Sequence, residues 1–577
     1  MKDRLQRAIE AAVSTLLVEA GDASPPPAFA LDVPRQAEHG DFACNAALLL
    51  AKRLHQPPRE AAERLRSAVG NAGGLVARSV VAGPGFVNFW LAGERWHELM
   101  REILRAGASF GRSNAGRGAH VQVEFVSANP TGPLTLGHGR QAVLGDTLGR
   151  VLEATGWQVT REYYFNDGGR QMRVLGDSVK ARYLEQLGRA AHPPAHLLAE
   201  PDADWPAQIG GLPIAFPKGG YQGHYIAEIA ASLREQYGDS LIDEPGDGVF
   251  RRAAQERIFE EIHATLTALR VRFDVYYNET SLYETGKIEE TLKDLRAKGL
   301  VYEADGAVWL KATALGLERD RVVVKSTGEP TYLLPDIAYH REKFRRSFSR
   351  VIDVQGADHI EQFPFVRAAI GALGCDPSAV ELVMNQFVTL TRGGESVKQS
   401  TRRATYITVD ELLDEVGCDV FRFFMVERKA DGHLDFDVEL AKDKDWKKNP
   451  AYYVQYAHAR THGIERKARE GGVALPEPDA IDAARLVLEE ELALLKKLRE
   501  YPDVVARAAE SREPHHVAYY LRDLARLWNP YVQDGVRHRV LSDDPGLTAA
   551  RLGLVLAVRT VLANGLGVLG LSAPEQM

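Results

Sequence analysis

Cysteine is scarce in this chain of 577 residues, which has only Cys44, Cys375 and Cys418, far apart from one another. Neither a disulfide framework nor a Cys-x-x-Cys zinc site is therefore available. Charge of one sign is also lacking, because 71 Lys and Arg stand against 79 Asp and Glu and leave a net charge of −8. That balance argues against a protein coated in positive charge, but it is compatible with a local basic groove for nucleic acid.

Long uninterrupted apolar runs are missing as well. The first segment spaces its apolar residues from Leu5 to Leu17 along one helical face, but charges run through it, unlike the apolar core of a signal peptide. The most apolar stretch, residues 551–571, is broken by Arg559 and Asn564. This pattern favours a buried helix over a membrane span. We therefore expect a cytoplasmic protein that makes no use of a membrane.

What is present is ordinary globular composition, with 45% apolar and 26% charged residues. The length exceeds what one hydrophobic core supports, so we expect several domains. Changes of pattern predict an α+β block over 1–112 and an α/β block over 113–446. The second block has a loop-rich insertion around 170–265, and an all-α block follows over 447–577.

The central block opens with a strand–helix–strand pattern. Residues 120–128 are predicted as a buried strand, 139–155 as a helix and 157–165 as the next strand. Such a unit places its two strands in parallel and covers both faces of the sheet. The sequence thus predicts a Rossmann-like parallel sheet.

Several other segments are predicted as strands. The apolar runs 80–91, 351–359 and 381–390 each favour one continuous strand. Residues 321–326 and 331–334 favour a hairpin around a Thr-Gly-Glu turn. From about residue 450 onward the patterns are almost entirely helical.

The glycines near residue 138 allow two interpretations. Gly137-x-Gly139-x-x-Ala142 at a helix start resembles a dinucleotide-binding fingerprint. In that fold, however, the first glycine turns the chain tightly at the end of the strand, whereas here a stretch carrying Pro130 and Pro133 intervenes. We therefore do not expect an NAD site.

The second interpretation centres on His138. An imidazole and backbone N–H groups at the positive end of a helix suit a polyphosphate. For His138 alone, a capping histidine at a surface helix would be the favoured explanation. A capping role does not explain the whole surrounding block, residues 128–140 (ANPTGPLTLGHGR).

Thr135-Leu136-Gly137-His138 resembles the His-Ile-Gly-His signature of class I aminoacyl-tRNA synthetases, and the whole block resembles the arginyl-tRNA synthetase family. Further segments resemble the same family in the same order, and together they extend over essentially the full length. They are residues 39–52, 161–169, 331–340, 353–359, 419–437, 449–460 and 569–577.

The resemblance implies an arginine–tRNA ligase that activates arginine with Mg²⁺-bound ATP and then charges tRNA(Arg). It implies a monomer without bound zinc or an organic cofactor. Activation is an in-line attack on the α-phosphorus, so catalysis is mostly positioning and charge stabilisation. The ATP-binding and catalytic residues it implies are Thr135, Gly137, His138, Gly139, His359, Lys398, Ser400 and Arg402. For His359, a hydrogen-bonded core histidine is the alternative.

This chain departs from the family pattern at two positions. Thr135 stands where the signature has its first histidine, and Thr401 stands where the Lys-Met-Ser-Lys-Arg loop has its second lysine. A threonine hydroxyl donates one hydrogen bond but carries no charge. Lys398, Arg402 and Arg403 still keep three cations close together. The departures leave a catalytically decayed, synthetase-like tRNA-binding protein as the alternative function.

Recognition of arginine requires anions shaped for a guanidinium group. The resemblance assigns the guanidinium to Asp336 and Glu279 with Tyr332, and the α-amino and carboxylate ends to Glu124, Asn129 and Gln355. Four of these assignments have a plainer alternative: Asp336 as an acid at a helix N-terminus, Tyr332 as a strand aromatic, Glu279 as a surface acid and Asn129 as a turn residue. Glu124 interrupts an apolar strand, so it either pairs with an internal base or awaits a cationic ligand.

The tRNA is expected to contact both ends of the chain. Tyr452, Tyr453 and Tyr456 alternate with Arg460 and later cations, a pattern that suits stacking on unpaired bases beside phosphates. A tyrosine stripe at helical spacing is also typical of a packed core. The family resemblance implies that residues 447–577 bind the anticodon and that residues 1–112 contact the outer corner of the tRNA.

Overall fold

The structure is a computed structural model. It describes residues 1–34, 36–200, 202–357, 360–397 and 407–577. The chain divides into two compact units. The first comprises Met1–Phe110, Thr461–Glu500 and Leu527–Val561, and the second comprises Gly111–Arg460, Tyr501–Arg526 and Leu562–Met577.

The N-terminal part is α+β, as predicted. Its elements are α1 (Lys2–Glu19), β1 (Leu31–Asp32), β2 (Phe42–Cys44), α2 (Ala46–Arg53), α3 (Pro58–Val69), β3 (Val76–Ala82), β4 (Phe86–Leu91) and α4 (Gly93–Ala106). The four strands form an antiparallel sheet in the order β1-β2-β4-β3. The prediction of one strand over 80–91 was wrong, because Gly83 and Gly85 adopt positive φ and turn the chain back into a hairpin.

The first part of the central region holds β5 (His120–Phe125), α5 (Leu136–Ala154), β6 (Gln158–Phe165), α6 (Gly169–Gln186), α7 (Ala195–Ala199), β7 (Gln208–Ile209), β8 (Leu212–Pro213), α8 (His224–Tyr237), α9 (Arg251–Ala268), β9 (Val275–Asn278), α10 (Thr280–Glu284) and α11 (Lys287–Ala297). The insertion predicted around 170–265 is therefore mostly helical, and only its middle is rich in loops. Long amphipathic helices on either side of the proline-rich stretch explain the difference.

The second part holds β10 (Val301–Ala304), β11 (Ala307–Leu310), β12 (Arg321–Val324), α12 (Leu333–Arg345), β13 (Arg350–Gly356), α13 (Phe363–Ala372), β14 (Val380–Asn385), β15 (Val388–Arg392), β16 (Glu395–Ser396), α14 (Val409–Val416), α15 (Cys418–Val426), β17 (Leu434–Asp437) and α16 (Val438–Lys442). Residues 331–334 do not form the second arm of a hairpin: α12 begins there, with Tyr332 at its N-cap. The run 381–390 is two strands, because β14 and β15 belong to different sheets.

Five strands form the predicted Rossmann-like sheet, in the order β14-β13-β5-β6-β9, and every pair is parallel. Helix α5 lies directly on β5: a Cβ on Gly145 would come within 2.1 Å of the Phe125 ring. In the register, Glu124 is flanked by Asp353 on β13 and Glu162 on β6, which places three acids side by side.

The C-terminal part is helical, as predicted, with α17 (Pro450–Glu470), α18 (Glu489–Ser511), α19 (His515–Gln533) and α20 (Pro545–Val568). Among the described residues, α20 is the one helix long and apolar enough to cross a membrane, and 67% of its most apolar window is buried inside the protein. Leu554, Val558 and Leu562 are fully buried. This burial is what the sequence predicts for a core helix.

Candidate active site

The predicted arginine-binding residues cluster at the carboxyl ends of the parallel strands. Asn129 follows β5 and Glu279 follows β9, and Gln355 and Glu124 are each one residue from the end of their strands, β13 and β5. In open parallel sheets, ligands bind at this edge, where strand order reverses. Here the reversal falls between β5 and β13, the two strands that carry Glu124 and Gln355.

The signature residues lie at the N-terminus of α5, the end of a helix that attracts anions. Thr135 is the N-cap of α5 and His138 lies in its first turn. His138 Nδ1 accepts a hydrogen bond from the Thr135 backbone N–H at 3.3 Å and lies 3.2 Å from Thr135 Oγ1. The two side chains form a capping box. An accepting Nδ1 places the proton of a neutral imidazole on Nε2.

The two signature glycines have different surroundings. A Cβ on Gly139 would lie 2.7 Å from the Phe421 ring and 2.9 Å from Val409, so this glycine lets α14 and α15 pack against α5. A Cβ on Gly137 would meet nothing closer than 4.0 Å. Space over Gly137 is therefore open to a ligand at the helix end.

Arg140, which sequence reasoning did not single out, is fully buried behind the signature. Its guanidinium donates to the backbone oxygens of Gln386, Gly432 and Lys429 at 2.9, 3.0 and 2.9 Å. These bonds tie α5 to the chain between β14 and β15 and to the segment between α15 and β17. Long-range contacts of this kind leave no local signal in the sequence.

A cavity of about 590 Å³ lies beside Glu279 and Tyr332. Its wall carries both signs of charge, with Arg170, Arg173 and Lys325 in addition to Glu279. Tyr332 is 69% exposed, and Asp336 follows one helical turn later on α12. Tyr332 is thus a helix N-cap facing open space rather than a strand aromatic.

Glu279 is a partly buried acid with two hydrogen-bond donors. Its carboxylate accepts from Tyr164 Oη at 2.7 Å and from Asn166 Nδ2 at 3.1 Å. Burial raises the pKa of Glu279 to about 7, and the charges of Asp336 and Asp167 add to the rise, although the Tyr164 hydrogen bond opposes it. Such a carboxyl favours a cation, since an approaching positive charge restores its ionised form.

Asp336 directly follows Pro335, which lines the same cavity. Its carboxylate accepts a hydrogen bond from Gln362 at the start of α13, and its charge contributes to the raised pKa of Glu279. Two neighbouring acids of this kind match the two edges of a guanidinium group.

Glu124 pairs with an internal base, the first of the two alternatives that the sequence left open. It is 3% exposed, and its Oε2 accepts from the Lys343 ammonium at 2.5 Å. Lys343 also donates to Asp353 at 2.7 Å, and Asp353 bonds His340 at 2.9 Å. The two carboxylates hold the pKa of Lys343 above its usual range despite complete burial.

The turn after β5 is strained. Val126 and Ser127 have φ of +67° and +43°, the left-handed region that branched and bulky residues avoid. Ser127 Oγ donates to Glu124 Oε1 at 2.9 Å and accepts from the Tyr164 backbone N–H at 3.2 Å. Strain of this type collects at functional sites, where the surroundings hold it in place.

Asn129 and Gln355 stand at neighbouring strand ends. Asn129 donates to Gln171 Oε1 at 2.7 Å, and Gln171 lines the cavity. Gln355 is half-buried on β13. His359, Lys398, Ser400 and Arg402, together with Thr401 and Arg403, lie outside the described residues.

The predicted tRNA residues are partly exposed at the start of α17. Tyr456 stacks on Trp446 with ring centroids 4.2 Å apart, and the Arg460 guanidinium lies 5.5 Å from the Tyr456 ring. Lys444 donates to Tyr452 Oη at 3.1 Å. Because these aromatics are half-buried and not enclosed, the cluster differs from a packed core stripe. Sequence reasoning missed Trp446, although KDWKK around it mixes an aromatic with cations.

One group among the described residues could ligate a metal. Glu513, His515 and His516 offer atoms within 4.8 Å of one another at the start of α19. The Glu513 carboxylate is already paired, with Lys429 at 3.3 Å and His516 at 3.0 Å. None of the three lines the cavity beside Glu279.

Comparison with protein families matches three models in sequence. One described as "Arginyl tRNA synthetase N terminal domain" matches residues 2–91, and "DALR anticodon binding domain" matches 454–577. The model "tRNA synthetases class I (R), catalytic domain" matches 100–197 and 228–435, and the gap it leaves falls in the loop-rich middle of the insertion.

Solved structures agree with the fold. A Mycobacterium tuberculosis methionyl-tRNA synthetase, 12% identical, superposes with a TM-score of 0.51 and covers 78% of this chain and 91% of that one. A Thermus thermophilus arginyl-tRNA synthetase, 26% identical, superposes with a TM-score of 0.74 and covers 99% of this chain and 100% of that one. The parallel sheet and the helix start at its carboxyl edge are those of a class I aminoacyl-tRNA synthetase.

Curated relatives identify the family within this class. An arginine–tRNA ligase of Desulfotalea psychrophila is 48% identical over 95% of each chain, and one of Salinibacter ruber is 46% identical over 100% of each. With this identity over the full length and three matching models, the chain belongs to the arginyl-tRNA synthetase family.

Proposed function

We propose that this chain is an arginine–tRNA ligase. In the first step, the arginine carboxylate attacks the α-phosphorus of ATP, an arginyl-adenylate forms, and pyrophosphate leaves. In the second step, a ribose hydroxyl of the 3′-terminal adenosine of tRNA(Arg) attacks the arginyl carbonyl, and AMP leaves. ATP enters as its Mg²⁺ complex, so the metal belongs to the substrate.

The pair of acids beside the cavity carries this proposal. Glu279 and Asp336 receive the guanidinium group, with Tyr332 against its planar face. An amino acid with a neutral side chain leaves both carboxylates without a cation in a partly buried place. Its binding is therefore penalised. A pocket for a neutral side chain would not place two interacting carboxyl groups, Glu279 and Asp336, beside one cavity.

The other end of arginine meets the strand ends. Asn129 and Gln355 bond the α-amino and carboxylate groups. Glu124 supports them from beneath and contributes negative potential for the ammonium. Since it is 3% exposed and already accepts from Lys343 and Ser127, its contribution to arginine is electrostatic.

The nucleotide lies at the N-terminus of α5. His138 and the open backbone at Gly137 meet the phosphates, and Gly139 lets the helix pack closely enough to present them. Thr135 holds His138 through the capping box. Lys398, Ser400 and Arg402 contact the pyrophosphate side and His359 the adenosine, as the resemblance implies.

The tRNA meets the remaining domains. Residues 447–577 hold the anticodon, with Tyr452, Tyr456 and Arg460 in contact with RNA, and residues 1–112 hold the outer corner. The catalytic domain occupies 113–446. The enzyme acts as a cytoplasmic monomer with neither zinc nor an organic cofactor.

The test is ATP–pyrophosphate exchange over a panel of amino acids, with and without bulk tRNA. We expect exchange with arginine as the only active amino acid, and only when tRNA is present. No exchange under either condition, despite tRNA binding, would instead favour the decayed tRNA-binding protein. Thr135→His with Thr401→Lys is the matched variant: a large gain from near-zero activity would also support decay, whereas loss of the Thr135 cap predicts a neutral or harmful effect.

A further inference from the structure

Lys343 carries a positive charge in an unusual place. Its side chain is fully buried on α12, between Glu124 on β5 and Asp353 on β13. A buried ion pair adds little net stability compared with apolar side chains of the same volume, but it strongly restricts the orientation of its partners. Two chains of hydrogen bonds start at this ammonium. Each leads to a residue proposed above to bind arginine.

We propose that Lys343 is a positioning residue for arginine recognition, acting through Glu124 and Ser127 on the strained turn at 126–129. This inference rests on the proposed function. Lys343 does not contact substrate in this account. It sets the geometry of groups that do.

The first step of the argument runs from the ammonium to the turn. Lys343 binds one carboxylate oxygen of Glu124, which leaves the other oxygen directed at Ser127 Oγ, 2.9 Å away. That hydrogen bond holds Ser127 at a φ of +43°, beside Val126 at +67°. Neither residue adopts this conformation unless its surroundings enforce it.

The second step runs from the turn to the cavity. Ser127 Oγ accepts from the Tyr164 backbone N–H, and Tyr164 Oη donates to Glu279. Tyr163 Oη donates to the Ala128 carbonyl at 2.8 Å. The turn after β5 is thereby joined to the chain that holds Glu279.

The third step returns along α12. Asp353, the second partner of Lys343, bonds His340 Nε2, and His340 Nδ1 lies 2.8 Å from the Asp336 carbonyl oxygen. The same ammonium is therefore linked to both candidate guanidinium acids, Glu279 and Asp336. Disturbing it should change the fit of arginine more than the fit of ATP.

The Ser127 variants test this without unbalancing the buried charges. Ser127→Ala removes the hydroxyl and keeps a side chain that resists positive φ, so we expect the KM for arginine in exchange to rise about tenfold. The KM for ATP should stay within about twofold. Ser127→Gly also removes the hydroxyl but adopts positive φ without strain, so it should recover most of the loss. Thr155→Val, which removes a buried hydroxyl at the opposite end of α5, should leave both KM values unchanged.

The result that would overturn the proposal is Ser127→Gly performing no better than Ser127→Ala. A serine that contacts arginine directly, or that merely supports the core, gives that outcome. A flat KM for arginine in Ser127→Ala would overturn it as well. If the wild-type enzyme shows no arginine-dependent exchange, the proposed function fails first, and the two failures are thus distinguishable.

A double-mutant cycle links the effect to Lys343. We expect Lys343→Met to raise the KM for arginine about 30-fold, and Ser127→Ala to add less than about twofold to it, because both act through one path. Additive effects would contradict the path. If Lys343→Met does not fold, the comparison of the Ser127 variants decides the question alone.

Discussion

Arginine binding should release a proton near neutral pH, because Glu279 is held partly protonated in the free enzyme. Burial and the charges of Asp336 and Asp167 raise its pKa to about 7, and the guanidinium group binds only the ionised form. With that pKa, the ionised fraction falls from about three quarters at pH 7.5 to about 3% at pH 5.5. The Kd for arginine should therefore rise about 25-fold over this range, equivalent to about 1.9 kcal/mol.

Isothermal titration of arginine into the enzyme measures both the Kd and the proton. Titrations at pH 6 in buffers of different ionisation enthalpy should report release of about 0.9 proton per arginine, and at pH 8 about 0.1. Glu279→Gln should bind more weakly at every pH and lose the dependence. A wild-type Kd constant within about threefold from pH 5.5 to 7.5, or no proton release at pH 6, would refute the reasoning.

Three other predictions concern stability and tRNA. The folded-state pKa of Glu279 lies above its unfolded value, so the stability it contributes is lost as pH rises from about 4.5 to about 7. In urea unfolding, Glu279→Gln should therefore raise the free energy of unfolding by about 2 kcal/mol at pH 8 and leave it unchanged at pH 4.5. Gly145→Ala should cost about 3 kcal/mol by thermal unfolding, since its Cβ would overlap the Phe125 ring, and an unchanged melting temperature would contradict that packing. Trp446→Ala should raise the KM for tRNA in charging about tenfold and leave the KM for arginine alone; equal changes in both would argue against RNA contact.

Much of the central fold could be predicted from local pattern, because β5, α5 and β6 each carry a clear period and clear ends. The break of 381–390 into β14 and β15 could not. The break occurs where Arg140, 246 residues earlier in the chain, donates to the Gln386 carbonyl. No neighbouring residue in the sequence indicates it. At this point a tertiary contact, and not the strand propensity of the run, determines where the strand ends.

The same limit applies to the site. The buried acid at Glu124 was visible in the sequence, but its partner Lys343 lies 219 residues away and only the sheet register and the packing of α12 bring them together. The start of α12 was misplaced for a local reason. The pattern of residues 331–334 suggested the second arm of a hairpin, whereas the helix begins within that segment at Leu333, with Pro335 still in its first turn.

The measurement that tests the central claim most directly is charging of tRNA with arginine against citrulline, which keeps the shape of arginine but carries no charge. If Glu279 and Asp336 read the guanidinium charge, arginine should be preferred by about 10⁴-fold or more in kcat/KM. A preference below about 100-fold would contradict the account, because shape alone would then explain the selection.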